Sequence, residues 1–390
     1  MPATGSRSTR HGTGSTICSP RSGSCAWSSS SSARTSPRRS PARSPTSSGS
    51  SWPRTPCGSA PPPSPSSPAA PKGAPSSTAS ASADRRPSYA GSLSADHSYA
   101  AAGVSLATAG SVVERLRAAV ESTGATSFGA FAGLQPLDGE RLLAASTDGV
   151  GTKLILARQR GRLRDCGADL AAHCINDVAT CGAEPLMLLD YVAANEIRLD
   201  EVAELVEGAA AVCREAGVAL VGGETAELPG VYAEGELDFA GTAVGVVARA
   251  DLIDGSTIEA GDHVLGFPSA GVHANGFTLV RRVLEEEDYD GEDLLAPTRL
   301  YLDVARALRG RAKAFAHVTG GGILGNLERV LPVGRAAELD WNAWQRPLVF
   351  DWLARHVEEE ELRRVFNLGI GWCAVVAAPN PGETVIGRIR

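Results

Sequence analysis

Within the segment Ser146–Leu154, STDGVGTKL, residues 148–154 combine a carboxylate, two glycines, a hydroxyl and a lysine. Glycines let a phosphate approach the backbone, lysine offers it a positive charge, and aspartate can hold a hard cation. The spacing is neither that of a P-loop nor that of GxGxxG, because Leu154 stands where the third glycine would be. A strand-end Asp-Gly is also a common turn. The residues that could bind a nucleotide or its metal are Asp148, Gly149, Gly151, Thr152 and Lys153.

Carboxylates in two other segments could join a metal site with Asp148. Asp177 follows Asn176 among Ala, Ile, Val and Cys, and a carboxylate in apolar surroundings should be paired or metal-bound. The motif GGETAELPG places Glu224 and Glu227 in an acidic loop at the end of a predicted strand, where α/β sheets commonly hold ligands. Asp148, Asp177 and Glu224 therefore form a candidate Mg²⁺ site. The alternative, that all three are turn or cap residues, stays open.

Two glycine-rich motifs mark the second half of the chain. SAGVHANGFTL contains His273 and Asn275, and HVTGGGILGNL contains Gly320, Gly321 and Gly322 before a predicted helix. Backbone N–H groups at the start of a helix form a ready anion site. A lone histidine is as often structural as functional.

Hydrophobic periodicity predicts helices alternating with strands through about residue 250. The predicted helices there cover about 106–120, 167–181 and 199–216, and the predicted strands cover 142–146, 186–192, 219–221 and 240–248. A second unit begins near Asp262, with helices after Pro297 and around 350–355. The fold class expected is α/β (α+β), divided into a tail at 1–95, an N-terminal domain at 96–255 and a C-terminal domain at 256–390.

Residues 1–95 consist mainly of Ser, Pro, Arg, Ala and Gly, which cannot form a core, and we predict that this tail is disordered. It holds eleven Lys and Arg and one acidic residue, whereas the remainder holds 26 basic and 43 acidic residues. An acidic body argues against nonspecific nucleic-acid binding by the folded part. The tail itself could be a transit peptide, a nucleic-acid contact, a segment without a role, or sequence upstream of the true start.

The five cysteines of the body are odd in number and form no CxxC pair, so neither a disulfide framework nor a zinc site is predicted. No apolar run is long enough to span a membrane, and no signal-peptide core follows Met1. A cytoplasmic location fits this pattern best.

Several motifs together resemble one family. STDGVGTKL, INDVATCGAEPLMLLDY, LVGGETAELPGVY, SAGVHANGFTLVRRVL, LLAPTRLYLDV, AHVTGGGILGNLERVLP and FNLGIG occur in the order found in phosphoribosylformylglycinamidine cyclo-ligase, also called aminoimidazole ribonucleotide synthetase. The resemblance runs from about Tyr99 to Arg390 and omits the tail.

The resemblance implies a homodimer, in which the N-terminal domains of two chains join their strands in a barrel-like sheet. It implies ATP and Mg²⁺ as cofactors, and closure of formylglycinamidine ribonucleotide to aminoimidazole ribonucleotide with release of ADP and phosphate, in purine synthesis. It also implies roles by position: catalysis by Asp148, Lys153, His273 and Asn275; ATP binding by Gly149, Gly151, Thr152, Lys153 and Asn176; metal binding by Asp148, Asp177 and Glu224; and substrate phosphate binding by Gly320, Gly321 and Gly322.

Two departures from the family pattern affect these expectations. The opening motif here is Tyr99-Ala-Ala-Ala-Gly-Val-Ser105, which lacks both of the family's usual acids. At the other end, only PNPGE separates CAVVAA from TVIGRIR, where the family places a helix. Because a parallel crossover needs a dozen or more residues, we expect these two strands to form an antiparallel hairpin or to leave one strand unpaired, with reduced stability.

Related enzymes are the main rivals. Selenophosphate synthetase usually carries a reactive residue in its N-terminal arm, but no cysteine lies between Cys57 and Cys166, and the amidotransferase is far longer. Thiamine monophosphate kinase shares the Asp-Gly and Asn-Asp features, but GGETAELPG and HANGFTL favour the cyclo-ligase. A non-catalytic scaffold is the alternative from another class.

Overall fold

A computed structural model describes residues 97–125 and 128–390, so the tail predicted at 1–95 lies outside the described residues. Two five-stranded sheets, each with its own helices, lie within one unit that extends to Arg390. No helix in this part of the chain is long and apolar enough to cross a membrane.

The first sheet has the strand order β1-β2-β5-β3-β4. Its strands are β1 (Gly133–Pro136), β2 (Arg141–Gly149), β3 (Glu184–Ala194), β4 (Ala219–Glu227) and β5 (Leu237–Ala248). The helices of this half are α1 (Leu106–Glu121), α2 (Lys153–Gln159), α3 (Leu163–Ala179) and α4 (Leu199–Ala216). Neighbouring strands are antiparallel except β3 and β4, whose parallel pairing is allowed by the crossover through α4.

Helices α3 and α4 approach each other closely through two glycines. A Cβ atom on Gly167 would lie 1.9 Å from the Leu205 carbonyl oxygen, and one on Gly208 would lie 2.0 Å from that of Arg164. The contact holds α3 close to α4, and α3 also packs on strands β2 and β5 of the sheet.

The opposite face of the first sheet carries exposed side chains. Leu189, Tyr191 and Val221 are 39%, 36% and 54% exposed, and the hydroxyls of Thr147 and Thr242 pair at 2.8 Å on the same face. A sheet with one face buried on helices and the other apolar and exposed has a surface suited to a partner.

The second sheet has the order β7-β9-β6-β10-β8. Its strands are β6 (His263–Pro268), β7 (Ala312–His317), β8 (Ala337–Leu339), β9 (Ile370–Val376) and β10 (Val385–Ile389). The helices are α5 (Phe277–Val283), α6 (Leu302–Leu308), α7 (Gly322–Glu328), α8 (Leu348–Leu353) and α9 (Glu359–Val365). Every residue of β9 is buried, which makes it the centre of the second core.

The expectation for the C-terminal strands was wrong. Strands β9 and β10 form no hairpin and neither is unpaired, because both lie antiparallel to β6, one on each side of it. Val376 at the end of β9 pairs with His263, and Val385 at the start of β10 pairs with Leu265. The connection at 377–384 therefore steps back only a short way along the sheet and crosses about 10 Å sideways, within the ~26 Å reach of eight residues. No helix lies in this connection.

Strand β4 also differs from the expectation. It runs from Ala219 to Glu227, so Glu224 and Glu227 lie inside the strand and not in a loop after it. Parallel pairing with β3 extends to Ala194 opposite Glu227, which explains why the strand continues through the two glycines. The predicted helix at 199–216 matches α4.

Candidate active site

Asp148 and Asp177 lie on facing elements, and each contacts a buried histidine. Ser146 and Asp148 are two residues apart on β2, so both side chains point to the face of the sheet that packs on the helices. On α3, His173 and Asp177 are four residues apart and therefore share one face of the helix. Asp148 Oδ2 lies 3.3 Å from His173 Nδ1. Ser146 donates its hydroxyl to Asp177 Oδ2 at 3.0 Å. Strand β2 therefore aligns both carboxylates.

His317, the last residue of β7, joins this pair to the second sheet. Its Nδ1 lies 2.8 Å from Asp177 Oδ1. The rings of His173 and His317 meet edge to face with centroids 5.0 Å apart. A network of Asp148, His173, His317 and Asp177 thus links β2, α3 and β7, and it brings residues of both halves of the chain together.

The pKa values of the two histidines are shifted in opposite directions. Burial lowers the pKa of His317, and its hydrogen bond to Asp177 only partly opposes this. Burial also acts to lower the pKa of His173, but the hydrogen bond and charge of Asp148, with the charge of Asp177, raise it above 6.5 overall. Burial acts to raise the pKa of Asp148, and the contact with His173 holds it below its usual value. These shifts favour the charged form of His173 beside Asp148 and the neutral form of His317.

Asn275 reaches His173 from a loop of the second sheet, and Gly320, from another loop, lies beside Asn275. Asn275 Nδ2 lies 3.5 Å from His173 Nε2. A Cβ atom on Gly320 would lie 3.5 Å from Asn275 Oδ1, and Gly320 is exposed. Four of the residues predicted from sequence, Asp148, Asp177, Asn275 and Gly320, are therefore close together.

His273 has a structural position within its loop. It is 1% exposed and has a φ of 66°, which is uncommon outside glycine. Its Nε2 accepts a hydrogen bond from the Ala270 amide at 3.1 Å, and burial holds its pKa well below 6.5. Nδ1 is buried and has no hydrogen-bond partner in the described part of the chain. The structure therefore does not bring His273 into the network around His173.

Asn367, from the FNLGIG motif, fixes the same loop. Its Nδ2 donates to the carbonyl oxygens of Gly271 and Val272 at 2.9 and 3.0 Å, and its Oδ1 accepts from Ser269 at 2.9 Å. These bonds hold the SAGVHANG loop in a conformation that presents Asn275.

Lys153 points into the interior. Its ammonium group forms an ion pair with Asp169 at 2.6 Å and donates to the Ala296 carbonyl at 3.1 Å, and its side chain is fully buried. The predicted contact with a phosphate has no support from this conformation, because the charge is neutralised and no surface is exposed.

Asn176 likewise joins two parts of the fold. Its Nδ2 donates to the Arg299 carbonyl and its Oδ1 accepts from the Tyr301 amide, both at 2.8 Å, and the residue is fully buried. Its Nδ2 also lies 3.5 Å from His317 Nε2. Asn176 thus orients His317 and has no free group for a nucleotide in this conformation.

The remaining part of STDGVGTKL borders a cleft of about 630 Å³. Gly151, with φ 71°, turns the chain from β2 into α2, and Thr152 lines the cleft. Tyr232 and Glu234, from the loop after β4, line the other side. Gly149 is the exposed last residue of β2. The motifs STDGVGTKL and LVGGETAELPGVY, which are separate in sequence, therefore border one cavity.

Glu224 lies apart from the carboxylate pair. Strands β5 and β3 lie between β2 and β4, so β2 and β4 are three strand spacings apart, about 14 Å. Asp148 on β2 is in register with Gly223 on β4 across the two intervening strands. Glu224 follows Gly223 and so points to the opposite face. Within one chain, Glu224 is not brought to Asp148 and Asp177.

The glycines of HVTGGG have different roles. Gly321, with φ 100°, precedes α7, and a Cβ atom on Gly322 would lie 1.9 Å from the Arg363 carbonyl oxygen. Asn326 donates to the carbonyl oxygens of Gly320 and Gly322. Gly322 is thus required for packing, while Gly320 and Gly321 have surface available to a ligand.

Comparison with family models covers most of the described chain. The model for AIR synthase related protein, N-terminal domain, matches residues 129–247, and that for the C-terminal domain matches residues 259–388. The chain belongs to the AIR synthase related family. The site described above takes residues from both matched regions of this family.

Curated members of this family resemble the chain over most of its length. A phosphoribosylformylglycinamidine cyclo-ligase from Synechococcus sp. (strain CC9605) is 45% identical and covers 75% of this chain and 91% of its own. One from Sorangium cellulosum (strain So ce56) is 47% identical and covers 72% and 88%.

Among solved structures, the thiamine monophosphate kinase from Aquifex aeolicus has a TM-score of 0.53 at 16% identity, covering 74% of this chain and 96% of that chain. The enzyme from Stenotrophomonas maltophilia K279a has a TM-score of 0.50 at 22% identity, covering 71% and 92%. At such low identity these likenesses support the AIR synthase related fold and no more.

Sequence reasoning missed His173 and His317 as members of this AIR synthase related site. His173 stands four residues before Asp177, the spacing of one helix face, and that signal was available. His317 lies within the HVTGGG motif but 140 residues from Asp177, and only the three-dimensional fold brings the two together.

Proposed function

We infer that the chain catalyses the ATP-dependent cyclisation of formylglycinamidine ribonucleotide to 5-aminoimidazole ribonucleotide, with release of ADP and phosphate, in de novo purine biosynthesis. Support comes from relatives of 43–47% identity that bear the cyclo-ligase name. The observation that carries it is the paired network of Asp148 with His173 and Asp177 with His317, which borders loops from both halves.

The reaction needs charge neutralisation and alignment. The formyl amide oxygen attacks the γ-phosphorus of ATP, the bond between that phosphorus and the bridging oxygen breaks, and ADP leaves. The amidine nitrogen then attacks the activated carbon, loses a proton and expels phosphate. Phosphate is a far better leaving group than an amide oxygen, so the protein must mainly hold the reactants in line and stabilise charge.

Asp148 and Asp177 would hold Mg²⁺. The donor set fits, because both are carboxylates, and Asp148 keeps 39% of its side chain exposed where an ion can enter. When bound, the ion supplies positive charge to the phosphates of ATP. His173 and His317 orient the two carboxylates through hydrogen bonds, as the second shell of a metal site does.

The cleft beside α2 is the proposed nucleotide pocket. Gly149, Gly151 and Thr152 border the route from this cleft to Asp148, and the exposed backbone there allows a phosphate to approach. Asn275, which faces His173, and Gly320, which lies beside Asn275, supply the proposed substrate side. Lys153 would reach a phosphate only by leaving Asp169, so we propose that it positions α2 in the resting enzyme.

We also propose a homodimer through the exposed face of the first sheet. The apolar side chains of Leu189, Tyr191 and Val221 lie on this face, and Glu224 points to it from β4. A barrel-like arrangement of two sheets would cover these side chains and would place Glu224 of each chain at the interface.

A division into domains at 96–255 and 256–390 fits the two sheets. The five free, buried cysteines of residues 97–390 fit a reducing compartment such as the cytoplasm.

The test measures ADP release in a coupled assay with and without formylglycinamidine ribonucleotide. We expect turnover that requires this substrate and Mg²⁺. Asp148→Asn keeps the shape of the side chain but removes its charge, and we expect turnover to fall at least about 100-fold with the fold retained. Asp303→Asn, an exposed aspartate on α6, is the matched control.

Two outcomes would contradict the proposal. ATP binding without substrate-dependent turnover in the wild type would favour a scaffold protein. Full turnover in Asp148→Asn would remove this residue from the metal site.

A further inference from the structure

Two histidines and a glutamate that do not line the cleft meet at the point where the described chain begins. His97 Nε2 lies 3.1 Å from Glu286 Oε1, and His356 Nδ1 lies 3.6 Å from Glu286 Oε2. One ligand atom from each of the three residues lies within 4.8 Å of the others. His97 precedes α1, Glu286 follows α5 and His356 follows α8, so the cluster joins three separate segments.

These spacings suit a small metal ion. Four ligands at about 2.0–2.1 Å in a tetrahedron are about 3.3 Å from one another. The contacts of His97 and His356 with Glu286, at 3.1 and 3.6 Å to its two different carboxylate oxygens, are close to that value. Glu286 is 44% exposed along its side chain, which leaves an entry path and room for water as a fourth ligand.

A neighbouring carboxylate prepares His356 for this role. Glu287 Oε2 lies 2.8 Å from His356 Nε2, and the other ring nitrogen, Nδ1, faces Glu286. A carboxylate that holds the outer nitrogen of a metal-ligating histidine is a recurrent second-shell arrangement.

In the described part of the chain, the buried side chain of His97 contacts Glu286 and the edge-on ring of His356. Its side chain is 6% exposed, and its Nδ1 is buried without a hydrogen-bond partner among the described residues. Burying an imidazole with one nitrogen unpaired is unfavourable, and a bond from Nε2 to a metal would offset that loss.

We propose that His97, Glu286 and His356 bind one divalent transition metal ion, for which Zn²⁺ is the best match. Two imidazoles with one carboxylate favour Zn²⁺ over Mg²⁺, which prefers oxygen ligands and keeps its water. The ion clips the segment 97–104 onto the helices of the second sheet.

Metal binding at this site would also affect the SAGVHANG loop, residues 269–276. Within the same segment, the Tyr99 amide donates to Glu361 Oε1 at 2.6 Å. The Tyr99 hydroxyl is held by the backbone of Gly276, next to Asn275. A metal at His97 would therefore stabilise the segment that covers the SAGVHANG loop.

The experiment titrates Zn²⁺ into metal-stripped, full-length protein by calorimetry in a buffer saturated with Mg²⁺, which occupies the carboxylate pair. We expect one site, besides any uptake by the tail, that His356→Gln and His97→Gln each weaken at least about 10-fold. His263→Gln is the control, because His263 is not part of the cluster and lies at the start of β6, whereas the SAGVHANG loop follows the end of that strand. Co²⁺ in place of Zn²⁺ should give the visible absorption of a tetrahedral site in wild type and in His263→Gln alone.

Thermal unfolding with and without Zn²⁺ supplies the second readout. Zn²⁺ should raise the Tm of wild type and of His263→Gln but not of His356→Gln, because binding to the folded state alone stabilises it. The histidine and cysteines of the tail could take up zinc, but such uptake would be the same in every variant. Equal affinity in wild type, His97→Gln and His356→Gln would overturn the proposal, as would no uptake by the wild type. If His97→Gln does not fold, His356→Gln and Glu286→Gln decide.

Discussion

At the scale of single residues, the site depends on which carboxylate each histidine holds. Asp148 and Asp177 were predicted from their residue type and setting, and their proximity was only an expectation. The structure adds His173 and His317, whose ring nitrogens hold those carboxylates. Sequence could not supply this pairing, because a histidine near a glycine motif has no preferred partner until the fold is known.

The substitution His317→Gln should weaken Mg²⁺-dependent activity more than it lowers the stability of the fold. In His317→Gln, Asp177 loses its 2.8 Å contact with Nδ1 and is held by Ser146 alone. We expect kcat/KM to fall about 10- to 100-fold and the Mg²⁺ concentration for half-maximal activity to rise, as with other second-shell changes. Steady-state assays across a Mg²⁺ series measure both values. His263→Gln should match the wild type, and an unchanged Mg²⁺ requirement in His317→Gln would exclude this positioning role.

The ion pair of His173 and Asp148 should give a pH-dependent share of stability. Because the pKa of His173 is raised in the fold, its contribution is fully present below pH 6.5 and is lost as the pH rises through the folded value. Wild type should therefore exceed His173→Gln in free energy of unfolding by more at pH 6 than at pH 9. Urea denaturation at the two values measures the difference. A gap that widens toward pH 9 would show that His173 is neutral in the fold.

At the scale of elements, helix α4 was predicted with its observed bounds, whereas β4 and the C-terminal strands were not. The 3.6-residue period of α4 is a local signal, so sequence suffices. The route from β9 to β10 depends on which strand lies between them, and β6 is more than a hundred residues earlier in the chain. Arg311 helps to hold this route, since it pairs with Glu383 and donates to the Ala378 carbonyl.

The glycine contact between α3 and α4 gives a prediction at this scale. Gly167→Ala would place a methyl group 1.9 Å from the Leu205 carbonyl oxygen, so the helices must separate. We expect a loss of about 1–3 kcal/mol in the free energy of unfolding. Gly325→Ala in α7 is the control, because its Cβ meets no atom within 4 Å, and alanine there should be neutral or stabilise by up to about 1 kcal/mol. Equal stability of the two variants by denaturant titration would contradict the close packing.

At the scale of the whole molecule, the positions of the two sheets explain why only some of the site residues predicted from sequence lie close together. Asp148, Asp177, Asn275 and Gly320 meet where the loops of the second sheet reach α3. Glu224 does not, because it lies on the other face of the first sheet. Sequence places a residue on a strand, but which face it occupies depends on register, and here β4 extends beyond its predicted end.

The exposed face of the first sheet gives the last prediction. A chain of 40.3 kDa that pairs through this face should sediment at twice that mass. Leu189→Lys puts a charge in the middle of the apolar face, where its burial in a dimer would be strongly unfavourable, so we expect it to shift toward monomer at micromolar concentration. Val333→Lys is the matched control, because Val333 is fully exposed on a loop of the second half, away from this face. Sedimentation velocity of the three proteins measures the outcome. A monomeric wild type, or a Leu189→Lys variant that stays dimeric, would contradict pairing through this face. If Glu224 acts at the interface, the monomeric variant should also lose turnover while keeping its thermal stability.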